Sequence, residues 1–270
     1  MIKIGKQDYI NFYDIFNELG FHGFLLSSLD GIVKGELYAD DTKNPTYAIM
    51  LTADCYYVVG DLSDEQLEKE FFTLSQSDAF LDYTGIIFQN KNLSRIKEIF
   101  GKHTYEYIDR NGYKLFKSEV KYIDTIIDSA DIIKLTPNNI VQFKEYRNFK
   151  EVYEECKRYW DEYPKSSKIN FSIALVKDNT ILSCCYLCGE SSSENSCELG
   201  IDTFKGFRRK GYAETVCRET IKELIKLGYD NFNWHCYTDN IASSKTALKL
   251  GFKMVEESQL AWFRKVLDKK

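Results

Sequence analysis

Lys205-Gly206-Phe207-Arg208-Arg209-Lys210-Gly211-Tyr212-Ala213 is the stretch on which the reading of this 270-residue chain turns. A short strand, Cys197 to Thr203, runs into it, and a long helix leaves it. Ala213, Val216, Cys217, Thr220, Ile221, Leu224 and Ile225 recur at helical spacing on one face, and Gly228 is a natural C-cap. A helix start leaves four backbone N–H groups unpaired and carries about half a positive charge from its dipole. A glycine-punctuated approach lets those amides close around a diphosphate. Gly211 is expected there because a Cβ would block the phosphate. Lys205, Arg208, Arg209 and Lys210 add long-range attraction for an anion.

Other phosphate motifs fail on inspection. Gly206 and Gly211 have P-loop spacing, but Tyr212-Ala213 stands where Lys and Ser or Thr would be needed. Nothing there reaches a terminal phosphate or magnesium, which excludes a nucleotidase of that type. The dinucleotide pattern Gly-x-Gly-x-x-Gly is absent. The competing reading of the loop is a basic surface turn.

Working outward, Val152, Tyr153, Cys156, Tyr159 and Trp160 mark an amphipathic helix that Pro164 closes. Residues 169–175 and 181–188 read as a hairpin about the turn Asp178-Asn179. Asn231 to Tyr237 reads as a strand and Ile241 to Leu250 as a short helix before Gly251. Phe252–Val255 and Leu260–Val266 read as a final hairpin. Upstream, residues 9–19 look helical, and Thr46–Thr52 with Cys55–Val59 look like a short hairpin. Ser63 to Gln66 is a capping-box pattern ahead of Leu67, Phe71 and Leu74. Ser94 with Ile96, Ile99 and Phe100 suggests another helix. No internal repeat is visible. Pro137-Asn138-Asn139 is the best boundary, giving domains 1–135 and 136–270.

Composition narrows the classes. A length of 270 allows one large domain or two small ones, and 44% apolar residues suit a packed core. A net charge of −5 argues against nucleic acid as a partner. No apolar run is long enough to span a membrane, and the N-terminus has no signal-peptide pattern. A cytoplasmic protein without a membrane partner is therefore expected, with its eight cysteines as free thiols. Cys184-Cys185-x-x-Cys188 lacks the second ligand pair of a zinc site, so no metal is expected and buried apolar thiols are the reading. Trp234, Trp262 and Cys236 are read as core. His235 lies on the strand face opposite Cys236.

Arg208-x-x-Gly211-x-Ala213 resembles the pyrophosphate motif of the GNAT superfamily of acyl-CoA-dependent N-acyltransferases. Asn240-x-Ala242-Ser243 followed by Leu250-Gly251-Phe252 resembles its second signature, about 30 residues on, and the element order over about 140–266 fits. Trp234-x-Cys236 adds a likeness to a two-part subgroup that includes proteins similar to the zwittermicin A resistance acetyltransferase. The resemblance implies an α+β fold with a mixed, splayed sheet flanked by helices in the C-terminal half. It also implies an α/β N-terminal half, compatible with a degenerate copy of that fold.

The resemblance further implies acetyl-CoA as co-substrate, its pyrophosphate on the amides of Arg208, Arg209, Lys210, Gly211, Tyr212 and Ala213. Leu199, Gly200 and Ile201 would hold the pantetheine arm with backbone groups, and Asn240 and Ser243 would lie near the sulfur. Glu198 is the candidate base for direct attack by an amine. Strand alternation groups it with Gly200 and with Asp202, the reserve candidate. The tyrosine acid common in relatives is replaced by Ala247. Ser243, Ser244, Tyr237 or water could take its place. The expected activity is acetyl transfer to an amine of a small molecule, with a homodimer left open. The alternatives are an acyl-CoA-binding sensor or partner-binding module without turnover, and a protein N-acetyltransferase.

Overall fold

The computed structural model describes residues 1–77, 81, 83–121, 130–165 and 167–264. Its helices and strands, in chain order, are β1 (Ile2–Lys3), α1 (Tyr13–Phe16), α2 (Gly23–Leu29), β2 (Gly35–Ala39), β3 (Tyr47–Thr52), β4 (Cys55–Gly60), α3 (Leu67–Ser75), β5 (Tyr83–Phe88), α4 (Leu93–Phe100) and β6 (Thr104–Phe116). They continue with β7 (Asp131–Leu135), α5 (Phe149–Trp160), β8 (Ser172–Lys177), β9 (Thr180–Ser191), β10 (Ser196–Thr203), α6 (Tyr212–Lys226), β11 (Asn231–Tyr237), α7 (Ile241–Leu250) and β12 (Lys253–Arg264). Among the described residues no helix is long and apolar enough to cross a membrane.

The chain forms two compact units. One holds residues 1–112, 236–240 and 255–270; the other holds 113–235 and 241–254. β6, β11 and β12 each give residues to both units.

In the first unit the strand order is β1-β2-β3-β4-β5-β12. All neighbours are antiparallel except β4 and β5, which are parallel and linked through α3. Side-chain alternation sorts β3 and β4 onto two faces. Ala48, Met50, Tyr57 and Val59 meet Phe12, Phe16 and Leu26 in one apolar cluster. Ile49, Leu51, Tyr56 and Val58 meet Phe71, Ile96 and Phe100 of α3 and α4 in another. Covering both faces explains why the 46–59 hairpin reads as a nearly unbroken apolar run.

The second unit repeats that backbone plan. Its strands run β11-β10-β9-β8-β7, antiparallel except for the pair β10 and β11, linked through α6. α5 covers one face, where Val152 and Cys156 meet Ala174, Cys184 and Tyr186. α6 contacts β8, β9 and β10, and its Cys217 Sγ lies 3.8 Å from Cys185 Sγ. Gly228 at φ +99° ends α6, its N–H donating to Ile225 O while Tyr229 N–H donates to Leu224 O. The repeat that the sequence hides is thus present in the backbone. The eight cysteines form no disulfide; seven are buried and Cys188 is half-buried.

The 9–19 segment is helical as expected, built as a single turn of α-helix between 3₁₀ turns, Lys6–Phe12 and Asn17–Leu19, ending at Gly20 with φ +73°. Tyr9, Phe12 and Phe16, three and four residues apart, are its buried aromatic side chains. Two local expectations are corrected. The Ser63–Gln66 capping box does not form; α3 starts at Leu67, and Asp64 Oδ1 instead accepts Gln66 N–H at 2.8 Å. The final hairpin is one continuous strand, β12, because Gln259 to Arg264 ladder onto Phe88 to Tyr83 and Ser258 is buried. Residues 265 and 266 of that expected hairpin lie outside the described residues.

Candidate active site

β10 and β11 pair over only three positions: Ser196–Asn231, Cys197–Phe232 and Glu198–Asn233. Beyond Glu198 they have no register with each other, although β10 continues to pair with β9 as far as Thr203. The sheet is therefore split on one side of Leu199, Gly200 and Ile201, as the sequence reading expected. In the first unit the parallel pair β4 and β5 holds over four positions, Cys55 to Val58, nearly to the end of β4. The split is thus developed in the second unit.

A bulge accompanies it. Between Glu198 and Leu199 the register with β9 shifts, since Glu198 faces Gly189 while Leu199 faces Leu187. Cys188 is the extra residue, and its Sγ would lie 2.6 Å from a Cβ at Gly200. Alternation along β10 places Glu198, Gly200 and Asp202 on one face; Leu199, on the other, is buried, and Ile201 is half-buried.

Three positions of the loop have left-handed backbone: Gly206 at φ +92°, Arg209 at +63° and Gly211 at +80°. A Cβ at Gly206 or Gly211 would meet no protein atom within 4 Å. Inside the protein, φ is what calls for glycine at 211, and the space beside it is open. The first backbone bond of α6 is Thr215 N–H to Gly211 O at 3.0 Å, so the Tyr212, Ala213 and Glu214 amides are the unpaired first turn. Lys205, Arg208, Arg209 and Lys210 are exposed around them. Arg208 has a second task, because its Nε donates to Thr203 O at 2.9 Å and ties the loop to the end of β10. These features fit a diphosphate-bearing ligand: open space, free amides, positive charge and a helix of full length.

The corresponding connection in the first unit, between β4 and α3, is Asp61-Leu62-Ser63-Asp64-Glu65-Gln66. It has three acids, no base and no glycine. An anion cradle is not built there.

Trp234 Nε1 donates to Ser243 Oγ at 2.9 Å, and its ring packs edge-on to Phe252 at 5.7 Å. The candidate acid Ser243 is thus fixed at the first turn of α7 by the core tryptophan. Ser244 accepts a 3.0 Å hydrogen bond from Tyr113 Oη. Asn240 is exposed; its N–H closes a turn onto Tyr237 O, and it falls among the residues of the first unit. Tyr237 belongs there too, and burial raises its pKa.

Glu198 has a partner that the sequence reading missed. His235 Nδ1 lies 2.9 Å from its Oε1. Glu198 is level with Asn233, so His235, two residues further along β11, shares its face; only the strand register reveals this. Tyr113 was missed for a similar reason, standing 131 residues from Ser244. Asp202, the reserve candidate, has its pKa raised by the protein crowding its carboxyl, with Arg208 pulling it down. Cys236 is buried, as expected of a core thiol.

Comparison with known proteins identifies the family. The chain is 23% identical, over 94% of its length and 95% of the relative's, to an uncharacterized N-acetyltransferase, YdfB, of Bacillus subtilis. A GCN5-related N-acetyltransferase-like protein from Streptococcus suis shares the fold with TM-score 0.61 at 16% identity, covering 97% of this chain and 100% of the other. A tandem GNAT protein from the clavulanic acid biosynthesis pathway superposes with TM-score 0.63 at 8% identity over 99% of each chain. The GNAT acetyltransferase family model matches residues 15–260, well beyond the 140–266 stretch that carries the motifs. With a match across nearly the whole length and both units, the chain belongs to the GNAT acetyltransferase family.

Proposed function

We propose that this chain is a cytoplasmic enzyme that moves acetyl from acetyl-CoA to an amine of a small molecule by direct attack. The observation that carries the reading is the junction of the β10 split with the glycine-punctuated, basic start of α6. In this proposal the Arg208–Ala213 amides hold the pyrophosphate, and Leu199, Gly200 and Ile201 offer the split edge of β10 to the pantetheine arm. Asn240 and Ser243 serve the sulfur end.

Three chemical needs follow for amine attack on a thioester: a neutral amine, a polarised carbonyl and a proton for the leaving thiolate. Glu198 takes the amine proton, directly or through water. It stands where β10 and β11 part and keeps some exposure. Ser243, oriented by Trp234, supplies the proton to sulfur. Residues 136–270 carry the chemistry, and the region before them serves acceptor choice, since its own β4–α3 connection lacks an anion cradle.

Thermal stability with and without acetyl-CoA tests the reading. Ligand at about 100 times its dissociation constant adds about 2.7 kcal/mol, a rise of several degrees. Lys210→Glu, a change at an exposed side chain, should shrink that rise while leaving the ligand-free midpoint in place. No rise at millimolar acetyl-CoA sinks the proposal.

A further inference from the structure

We infer that His235 is a positioning residue that holds the Glu198 carboxylate at the point where β10 and β11 part. The inference rests on Glu198 being the base. The side chain of His235 is 2% exposed and that of Glu198 14%, with Nδ1 and Oε1 2.9 Å apart. A carboxylate accepts hydrogen bonds and donates none, so Nδ1 is the donor in this contact.

The strand register makes the pair rigid. Glu198 sits at the last paired position of the two strands, level with Asn233, and His235 lies one pleat beyond, on the same face. Asn233 is fully buried and its Nδ2 donates to Ser196 Oγ at 3.3 Å, which fixes the strands just behind the pair. Past this point β10 has no β11 neighbour to brace it. The imidazole gives the carboxylate a fixed hydrogen-bond donor at this point. A base held within a fraction of an ångström of its working place keeps most of its catalytic advantage, and a displacement of about 1 Å costs on the order of 100-fold.

Two readouts test this, one of them independent of any acceptor. The chain has three histidines, His22, His103 and His235, so imidazole ¹⁵N signals are assignable by single replacements. His235 is expected to carry a proton on Nδ1 in the native protein, and its signals should move in Glu198→Ala. A His235 without a proton on Nδ1, or signals indifferent to Glu198→Ala, overturns the inference. The second readout is release of CoA thiol from acetyl-CoA, to a panel of primary amines or slowly to water. His235→Leu should lower kcat about 10- to 100-fold with little change in KM for acetyl-CoA. His235→Asn, which retains a donor near the Nδ1 position, should recover part of it. In a Glu198→Ala background His235→Leu should add no further loss. Full turnover in Glu198→Ala sinks the base reading of Glu198; full turnover in His235→Leu beside an inactive Glu198→Ala sinks the role of His235 alone.

Discussion

Trp234 Nε1 and Ser243 Oγ, 2.9 Å apart, join the middle of β11 to the first turn of α7. The indole is 1% exposed, so its N–H would be an unsatisfied buried donor without the serine. Ser243→Ala should cost about 1–3 kcal/mol through that orphaned donor. Trp234→Phe removes the donor but also ring volume, leaving a cavity beside Phe252. Denaturant unfolding of both single variants and the double variant checks this: the double should cost less than the sum.

One chain should bind one acetyl-CoA. Among the described residues, only the second unit pairs a split parallel strand pair with a glycine-bearing basic loop, while the first offers Asp61, Asp64 and Glu65 at the matching connection. Titration calorimetry should give a stoichiometry of one, and reversing one charge of the basic loop with Lys210→Glu should weaken that single event. The weakening should be larger at low salt, because exposed charges are screened within about 10 Å at 0.1 M.

Gly200→Ala should destabilise by about 1–3 kcal/mol, since its Cβ would press on Cys188 Sγ at 2.6 Å. Cys188→Gly in the same chain should relieve most of the cost. Thermal unfolding of the single and double variants checks the pairing, and an equal cost in both would place the clash elsewhere.

Asp202→Asn should raise stability at neutral pH. Protein crowding raises the folded-state pKa of Asp202 above its unfolded value, so its contribution is present below the ordinary carboxylate range and lost as pH rises through the folded value. At pH 7 the native charge therefore costs stability, and the amide avoids it. Because the residue is exposed, the gain is a few tenths of a kcal/mol after solvent screening. The gain should vanish below about pH 3, as a stability–pH profile of both proteins would show.

How much was legible can be argued from particular residues. Gly206, Gly211 and the apolar face of α6 are local signals, because chain conformation and helix periodicity follow from neighbours a few residues apart. The buried hairpin at 46–59 was readable for the same reason. The 63–66 capping box and the final hairpin misled because Asp64 and the β5 ladder supplied stronger partners than the local pattern did.

The sequence by itself determined that a strand, an open basic turn and an amphipathic helix follow one another at 197–226, and that Glu198 shares a face with Gly200 and Asp202. Spacing of two along a strand and of three or four along a helix is written in the chain. Only the tertiary structure decided that His235 meets Glu198, that Trp234 fixes Ser243, that Tyr113 reaches Ser244, and that the first unit repeats the plan of the second. Those relations depend on strand register and on which elements pack together. They are set by burial summed over each unit, which no short stretch of residues contains.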